Sequence, residues 1–195
     1  MPRRLDSQPQ SVPQPVPQPW ETVAHEKLQD CRVFEVYRKT SRSPRTGREH
    51  DFYRIEASEW VNVVALTEAD EFVMVRQFRH GSDEITLEIP GGIVDPGETP
   101  AEAAARELLE ETGYRGEAPV HLGIVNPNPA LFGNGCHTFL IRSARRVDDV
   151  RNDGETEHTT VELLPCADLR DRMRSGEIRH ALVIAGFYWF EIRED

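Results

Sequence analysis

Glu107, Glu110 and Glu111 crowd the short stretch Arg106-Glu107-Leu108-Leu109-Glu110-Glu111. In a helix, Glu107 and Glu111 stack one turn apart on a single face, with Glu110 three positions from Glu107. The helix dipole disfavours negative charge near the C-terminal end, so three carboxylates gathered there call for a bound cation. Because every donor is an oxygen, a hard ion such as Mg²⁺ or Mn²⁺ suits the patch. An ion of that kind neutralises negative charge on a bound group and acidifies a water, which suits metal-assisted hydrolysis.

The elements that must hold this patch are legible around it. Thr99 is placed to cap a helix, Pro100 suits its first position, and Glu102 completes a capping box three residues after the cap. Ala101, Ala104, Ala105 and Leu108 recur at the helical period and offer a small apolar face to a sheet. Gly113 supplies the stop. Arg106 reaches Glu102 or Glu110 along the helix, or Glu98 before it, and is expected to orient a carboxylate rather than to react. Pro90-Gly91-Gly92 lets the main chain approach closely, so the Gly91 carbonyl is a further candidate ligand. Glutamates at helical spacing are most often a solvated face with weak ion pairs. The complete pattern of loop glycines, helix caps and carboxylates argues for a site instead.

The chain has 195 residues and a formal net charge of −11, which suits one ordinary domain with a tail. That charge argues against nonspecific nucleic-acid binding and against a polybasic membrane anchor. The three cysteines, Cys31, Cys136 and Cys166, form no C-x-x-C pair, so neither a disulfide framework nor a zinc site is expected. A reducing, cytoplasmic setting fits them. No apolar leader and no long apolar run is present, so no membrane association is expected.

Residues 1–19 are rich in Gln, Pro and Ser and read as a disordered tail. Residues 20–58 read as an N-terminal β hairpin or small sheet, with strands over 31–37 and 50–57 and a turn at Ser43-Pro44-Arg45-Thr46-Gly47. Residues 59–195 read as the catalytic domain, with strands over 60–66, 72–78, 86–89, 120–125, 136–141 and 159–164. Helices are expected over 166–174 and 180–190, the last with Ala181, Ile184, Ala185, Tyr188 and Trp189 on its apolar face. The Pro/Asn/Gly-rich loop 126–135 is a candidate binding wall. Together these predict a mixed α/β sandwich.

Gly92, Glu98, Arg106-Glu107-Leu108, Glu110-Glu111 and Gly113-Tyr114 fill every fixed position of the pattern G-x5-E-x7-R-E-U-x-E-E-x-G-U, where U is bulky and apolar. On that pattern the chain resembles the Nudix superfamily from about residue 20 to its C-terminus. It is most similar to the branch that hydrolyses ADP-ribose and other nucleoside diphosphate sugars. Pro129, fifteen residues beyond Tyr114, the strand Val75-Arg76-Gln77-Phe78-Arg79 and Leu87-Glu88-Ile89-Pro90-Gly91-Gly92 carry that closer likeness.

The resemblance implies an α/β/α sandwich with a mixed sheet, a homodimer built through the N-terminal sheet, and Mg²⁺ (or Mn²⁺) on Gly91, Glu107 and Glu111. Glu110 is implied as an additional or water-mediated ligand. It also implies a terminal ribose or phosphate contact for Arg79 and a base stack for Phe52. A water-activating glutamate is implied on a downstream loop, where Glu155 and Glu157 are both candidates. The substrate so implied is ADP-ribose, split to AMP and ribose 5-phosphate. Alternatives are GDP-mannose or another nucleotide, and a sugar-nucleotide sensor without turnover.

Overall fold

The computed structural model describes residues 16–151 and 158–194. Most of the segment read as a tail lies outside them, and residues 16–19 carry no regular secondary structure. Three antiparallel strands come first: β1 (Glu21–Asp30), β2 (Glu35–Arg42) and β3 (Glu49–Glu56), in the order β1-β2-β3. Of the expected hairpin or small sheet, the structure has the sheet, with three strands. β1 was not legible because all ten of its residues are exposed, which leaves no hydrophobic alternation to read. The expected strand start at Cys31 is instead the turn between β1 and β2. There Arg32 takes a left-handed φ of 67° and its N–H donates to Asp30 Oδ1 at 2.9 Å.

The catalytic region contributes β4 (Trp60–Ala65), β5 (Glu71–Arg79), β6 (Glu84–Glu88), β7 (Gly91–Ile93), β8 (Tyr114–Arg115), β9 (Val120–Val125), β10 (Cys136–Ile141), β11 (Arg145–Arg146) and β12 (Thr159–Pro165). Its helices are α1 (Pro100–Thr112), α2 (Leu169–Arg174), which follows a short 3₁₀ turn, and α3 (Ala181–Glu194). A four-stranded sheet runs β7-β4-β10-β9, with β4 and β10 parallel, beside an antiparallel sheet β12-β5-β6. Val61, Val63, Ala65, Val73, Phe139 and Ile141 pack with Ala103, Ala104 and Leu108 of α1. Their alternates Val64, Phe72, Met74 and Leu140 pack with Val183 and Phe187 of α3. The two-residue period thus feeds two cores, and β4 is buried from Val61 to Ala65 because both faces are covered. The architecture is the expected α/β/α sandwich with a mixed sheet. No helix among the described residues is long and apolar enough to cross a membrane.

Two helix faces differ from expectation. On α1 Ala104 and Leu108 are buried and Ala101 packs on the same core, as expected, but Ala103 is buried where Ala105 was expected and Ala105 is exposed. On α3 the buried residues are Val183, Gly186 and Phe187, while Ile184 (42%) and Tyr188 (63%) are exposed. The α3 stretch Ala-Leu-Val-Ile-Ala-Gly-Phe-Tyr-Trp-Phe is apolar all round, so its periodicity selects no face. Beside α2, Arg76, Glu162, Arg172 and Glu177 close a ring of ion pairs that ties β5 and β12 to the segment after α2.

Candidate active site

α1 begins as its sequence requires. Thr99 Oγ1 accepts the Glu102 N–H at 3.3 Å, Glu102 Oε2 accepts the Thr99 N–H at 2.8 Å, and Gly113 ends the helix at φ 72°. Glu102 is thereby committed to the cap, which leaves Arg106 to other partners. Its Nε and Nη2 fork onto Glu98 at 3.0 and 2.9 Å. Nη1 donates to Glu107 at 2.9 Å and Glu110 at 3.1 Å, and Nη2 also donates to the Ile93 carbonyl. One guanidinium therefore fastens the loop before α1 to three glutamates. Hydrogen bonding from Arg106 holds the Glu98 carboxyl below its ordinary range, and Glu98 in turn raises the guanidinium further. Arg106 is hydrogen-bonded to carboxylates and does not line the cavity described next.

The short strand β7 crosses the same end of α1. The Gly91 N–H donates to Glu111 Oε2 at 3.0 Å. A Cβ at Gly92 would overlap the Glu107 carboxylate, and one at Gly91 would overlap the Val61 main-chain oxygen. Both glycines are therefore needed for close approach rather than for a special φ. Gly91, Gly92, Glu107 and Glu111 share the wall of a cavity of ≈ 450 Å³. Glu110 is turned to Arg106 and is not among its lining residues.

Among the described residues no three acidic, histidine or cysteine side chains converge as a ready cation cage. The oxygen donors nevertheless fit a hard divalent ion: two carboxylates from α1 beside the β7 main chain, pressed so close that only glycine fits at 92. Glu155 and Glu157 lie outside the described residues. The chain on either side of their segment is fastened to α1, since the Arg151 N–H donates to the Glu110 carbonyl at 2.8 Å and Thr159 Oγ1 to the Glu111 carbonyl at 3.0 Å.

Arg79 lines the same cavity, and there the structure adds a residue that sequence reasoning missed. Glu88 is 2% exposed and receives both Arg79 Nε and Nη2 at 2.8 Å, with Thr86 Oγ1 at 2.6 Å. Burial opposes ionisation of Glu88, but the Arg79 fork and Thr86 outweigh it and hold the carboxyl below its usual range. The available signal was the period: Gln77 and Arg79 on β5 and Thr86 and Glu88 on β6 share one face of the hairpin. Trp60, Asn62, Phe132 and His180 also line the cavity and had no chemical signature in the sequence. Cys136 sits in the wall too, but burial pushes its thiol up to about 12, so it is not a thiolate nucleophile.

Phe52 and Pro129 are together, in a second cavity of ≈ 510 Å³ with Trp20, Tyr53 and Arg54. Phe52 meets Trp20 edge-on at 5.4 Å. Phe132, in the loop between β9 and β10, lines both cavities and joins them. That loop docks on β3 through Ile55 N–H to the Leu131 carbonyl (2.8 Å) and Gly133 N–H to the Ile55 carbonyl (3.2 Å), so it forms one wall of the second cavity.

A family model for the NUDIX domain matches residues 57–184. An ADP-ribose pyrophosphatase of Bacillus subtilis is 26% identical over 174 residues, covering 89% of this chain and 94% of that protein. An ADP-ribose pyrophosphatase of Mycobacterium tuberculosis is 30% identical over 171 residues, covering 86% and 81%. A crystal structure of an ADP compounds hydrolase superposes with a TM-score of 0.78 at 22% identity, over 93% of this chain and 96% of that one, and shows the same fold. With the box glycine against Glu107, the Arg106 clamp and the α/β/α layers all in place, the chain belongs to the Nudix family.

Proposed function

We propose that the protein hydrolyses the pyrophosphate bond of a nucleoside diphosphate sugar, with ADP-ribose cleaved to AMP and ribose 5-phosphate. The observation that carries this reading is the single cavity wall formed by Gly91, Gly92, Glu107 and Glu111, with the Arg79 guanidinium in the same cavity. The Gly91 carbonyl, Glu107 and Glu111 would hold a divalent ion such as Mg²⁺, which would neutralise the diphosphate and acidify a water. The protein fixes those oxygens beforehand: the Gly91 N–H holds Glu111, and Arg106 holds Glu107. Arg79, braced by buried Glu88, presents a positioned positive charge to the phosphate or terminal ribose. Glu155 or Glu157 takes the proton of the attacking water, a role supported by the anchoring of both flanks beside Glu110 and Glu111.

The aromatic second cavity suits a nucleotide base, with Phe52 and Trp20 as its apolar wall and Phe132 leading to the diphosphate site. The N-terminal sheet serves a homodimer, a reading supported by the fully exposed β1 with Val23 and Leu28 among its residues. The three free cysteines suit a reducing cytoplasm.

The deciding experiment is a chromatographic product assay with ADP-ribose, GDP-mannose, a diadenosine polyphosphate and 8-oxo-dGTP, each with and without Mg²⁺. AMP from ADP-ribose only with metal is expected. Cleavage of another substrate alone overturns the substrate, and binding without cleavage overturns the enzymatic reading. Glu111→Gln keeps the fold and is expected to lower turnover by about 10²-fold or more; normal turnover in that variant would remove Glu111 from the metal set.

A further inference from the structure

His180 immediately precedes α3 and lines the cavity together with Arg79 and Glu88, yet the reaction proposed above gives it no part. Its carbonyl accepts the Ile184 N–H at 3.1 Å, the first hydrogen bond of the helix, so the residue is held as the N-cap. The imidazole has no such commitment. Nδ1 is buried without a partner, and neither ring nitrogen is hydrogen-bonded among the described residues. A buried N–H with no acceptor is rarer and costlier than a buried lone pair. In the neutral ring Nδ1 is therefore the lone pair and Nε2 carries the hydrogen, a tautomer that the positive end of the α3 dipole also favours. His180 thus brings one unspent donor to the cavity wall.

The groups around it define what that donor can meet. The ring stands close enough to Glu88 to help hold its carboxyl below the ordinary range. An ionised carboxylate offers about four acceptor positions. Arg79 Nε, Arg79 Nη2 and Thr86 Oγ1 occupy three of them on Glu88, which leaves an acceptor over. Gln77 shares the β5 face with Arg79, is 7% exposed and lines the same cavity. Its side-chain amide, which both donates and accepts, makes no hydrogen bond among the described residues. Donors and acceptors are therefore mixed on this wall. A phosphate oxygen only accepts and gains nothing from the spare acceptors, whereas a hydroxyl group uses both kinds. The other two walls are spoken for: Trp60 and Phe132 lead to the aromatic second cavity, and Gly91, Gly92, Glu107 and Glu111 form the oxygen-lined wall for the diphosphate and its ion.

Resting on the nucleoside diphosphate sugar reading above, we propose that His180, with Gln77 and Glu88, forms the subsite for the hydroxyl groups of the terminal sugar. His180 Nε2–H is the donor that sets the preference for a polyhydroxylated group at this end of the substrate. A site built to hydrogen-bond hydroxyls discriminates strongly against a ligand that lacks them, because its own polar groups are then left unpaired.

The test follows ribose 5-phosphate released from ADP-ribose with Mg²⁺ by wild type, His180→Leu and His180→Gln. ADP, which carries the base and both phosphates but no sugar, serves as the competitor. In His180→Leu the KM for ADP-ribose should rise about tenfold or more at nearly constant kcat, while the inhibition constant of ADP stays unchanged. His180→Gln, whose side-chain amide returns an N–H close to the place of Nε2, should recover most of the loss. A weakening of ADP that matches the rise in KM, an unchanged KM in His180→Leu, or no recovery in His180→Gln overturns the subsite. Should the wild type cleave GDP-mannose instead, mannose 1-phosphate release with GDP as competitor reads the same split. Wild-type protein that cleaves neither overturns the reaction, and the subsite with it, before any variant is compared.

Discussion

Replacing Arg106 with alanine tests the site where its charges are densest. The guanidinium makes five hydrogen bonds: two to Glu98, one each to Glu107 and Glu110, and one to the Ile93 carbonyl. The side chains of Glu98 and Glu107 are only 17% and 14% exposed, so both stay largely shielded from water after the substitution. Stranding a fully buried charged partner costs about 3–5 kcal/mol. Partial exposure of Arg106 (27%) and Glu110 (29%) lowers the expectation to about 2–3 kcal/mol. For a domain of this size that corresponds to a melting temperature roughly 5–10 °C lower. The pH dependence has a definite sign. The folded-state pKa of Glu98 is depressed, chiefly by Arg106, so its stabilisation is present above the ordinary carboxyl range and is lost as pH falls through the folded value. Urea melts of wild type and Arg106→Ala without divalent ions should therefore differ by the full amount at pH 7.5 and converge toward pH 3. Arg106→Lys should fall between them, because one ammonium cannot reproduce the fork onto Glu98. A difference below about 0.5 kcal/mol at pH 7.5, measured against that 2–3 kcal/mol expectation, or one that does not shrink with acid, refutes the assignment of Arg106 as the electrostatic clamp.

Gly92→Ala is expected to lower kcat/KM by about 10²-fold with little change in melting temperature, since its Cβ meets only the end of the Glu107 side chain and displaces that carboxylate. Gly91→Ala meets the Val61 main chain and should instead lower stability measurably; circular dichroism melts and kinetics on both variants separate the two effects. Thr99→Ala removes the capping box and should cost about 1 kcal/mol in urea denaturation, with the difference insensitive to Mg²⁺. Arg172→Ala opens the ion-pair ring at α2, and because Arg172 and Glu177 are each about a third exposed the loss of stability in urea denaturation should be small and fade in high salt.

What could be read from the chain depended on whether a local rule acted without competition. The capping box at Thr99 and the glycine at 113 delimit α1 as expected, and β10 runs over Cys136–Ile141 as expected because it is a buried apolar run between turn residues. Glu107 and Glu111 share one face of α1, as their four-residue spacing implied, and that face meets β7. β1 left no trace because water covers all of it, and α3 hid its inward face because it is apolar on every side. Glu88 and His180 were invisible for a different reason. A buried acid acquires meaning only once Arg79 is known to lie across the hairpin from it, and His180 only once the segment before α3 is known to close the cavity. Phe52 and Pro129 were chosen for separate reasons and share a cavity because the 126–135 loop docks on β3, a long-range fact that no window of sequence contains.

The parallel pairing of β4 with β10 also dictates an order of assembly. All of β5 to β9 and α1 lie between these two strands in the chain, yet Trp60 to Ala65 pairs residue by residue with Cys136 to Ile141. During synthesis β4 emerges as a run of apolar residues whose only early sheet partner is the three-residue β7. Closing so long a loop is slow, whereas α1, with both ends capped, can form locally. The helix bearing Glu107 and Glu111 can therefore form before the sheet that gives them a wall. Until residue 141 has left the ribosome, the edge of β4 that faces β10 stays unpaired and apolar, which exposes the nascent chain to aggregation there.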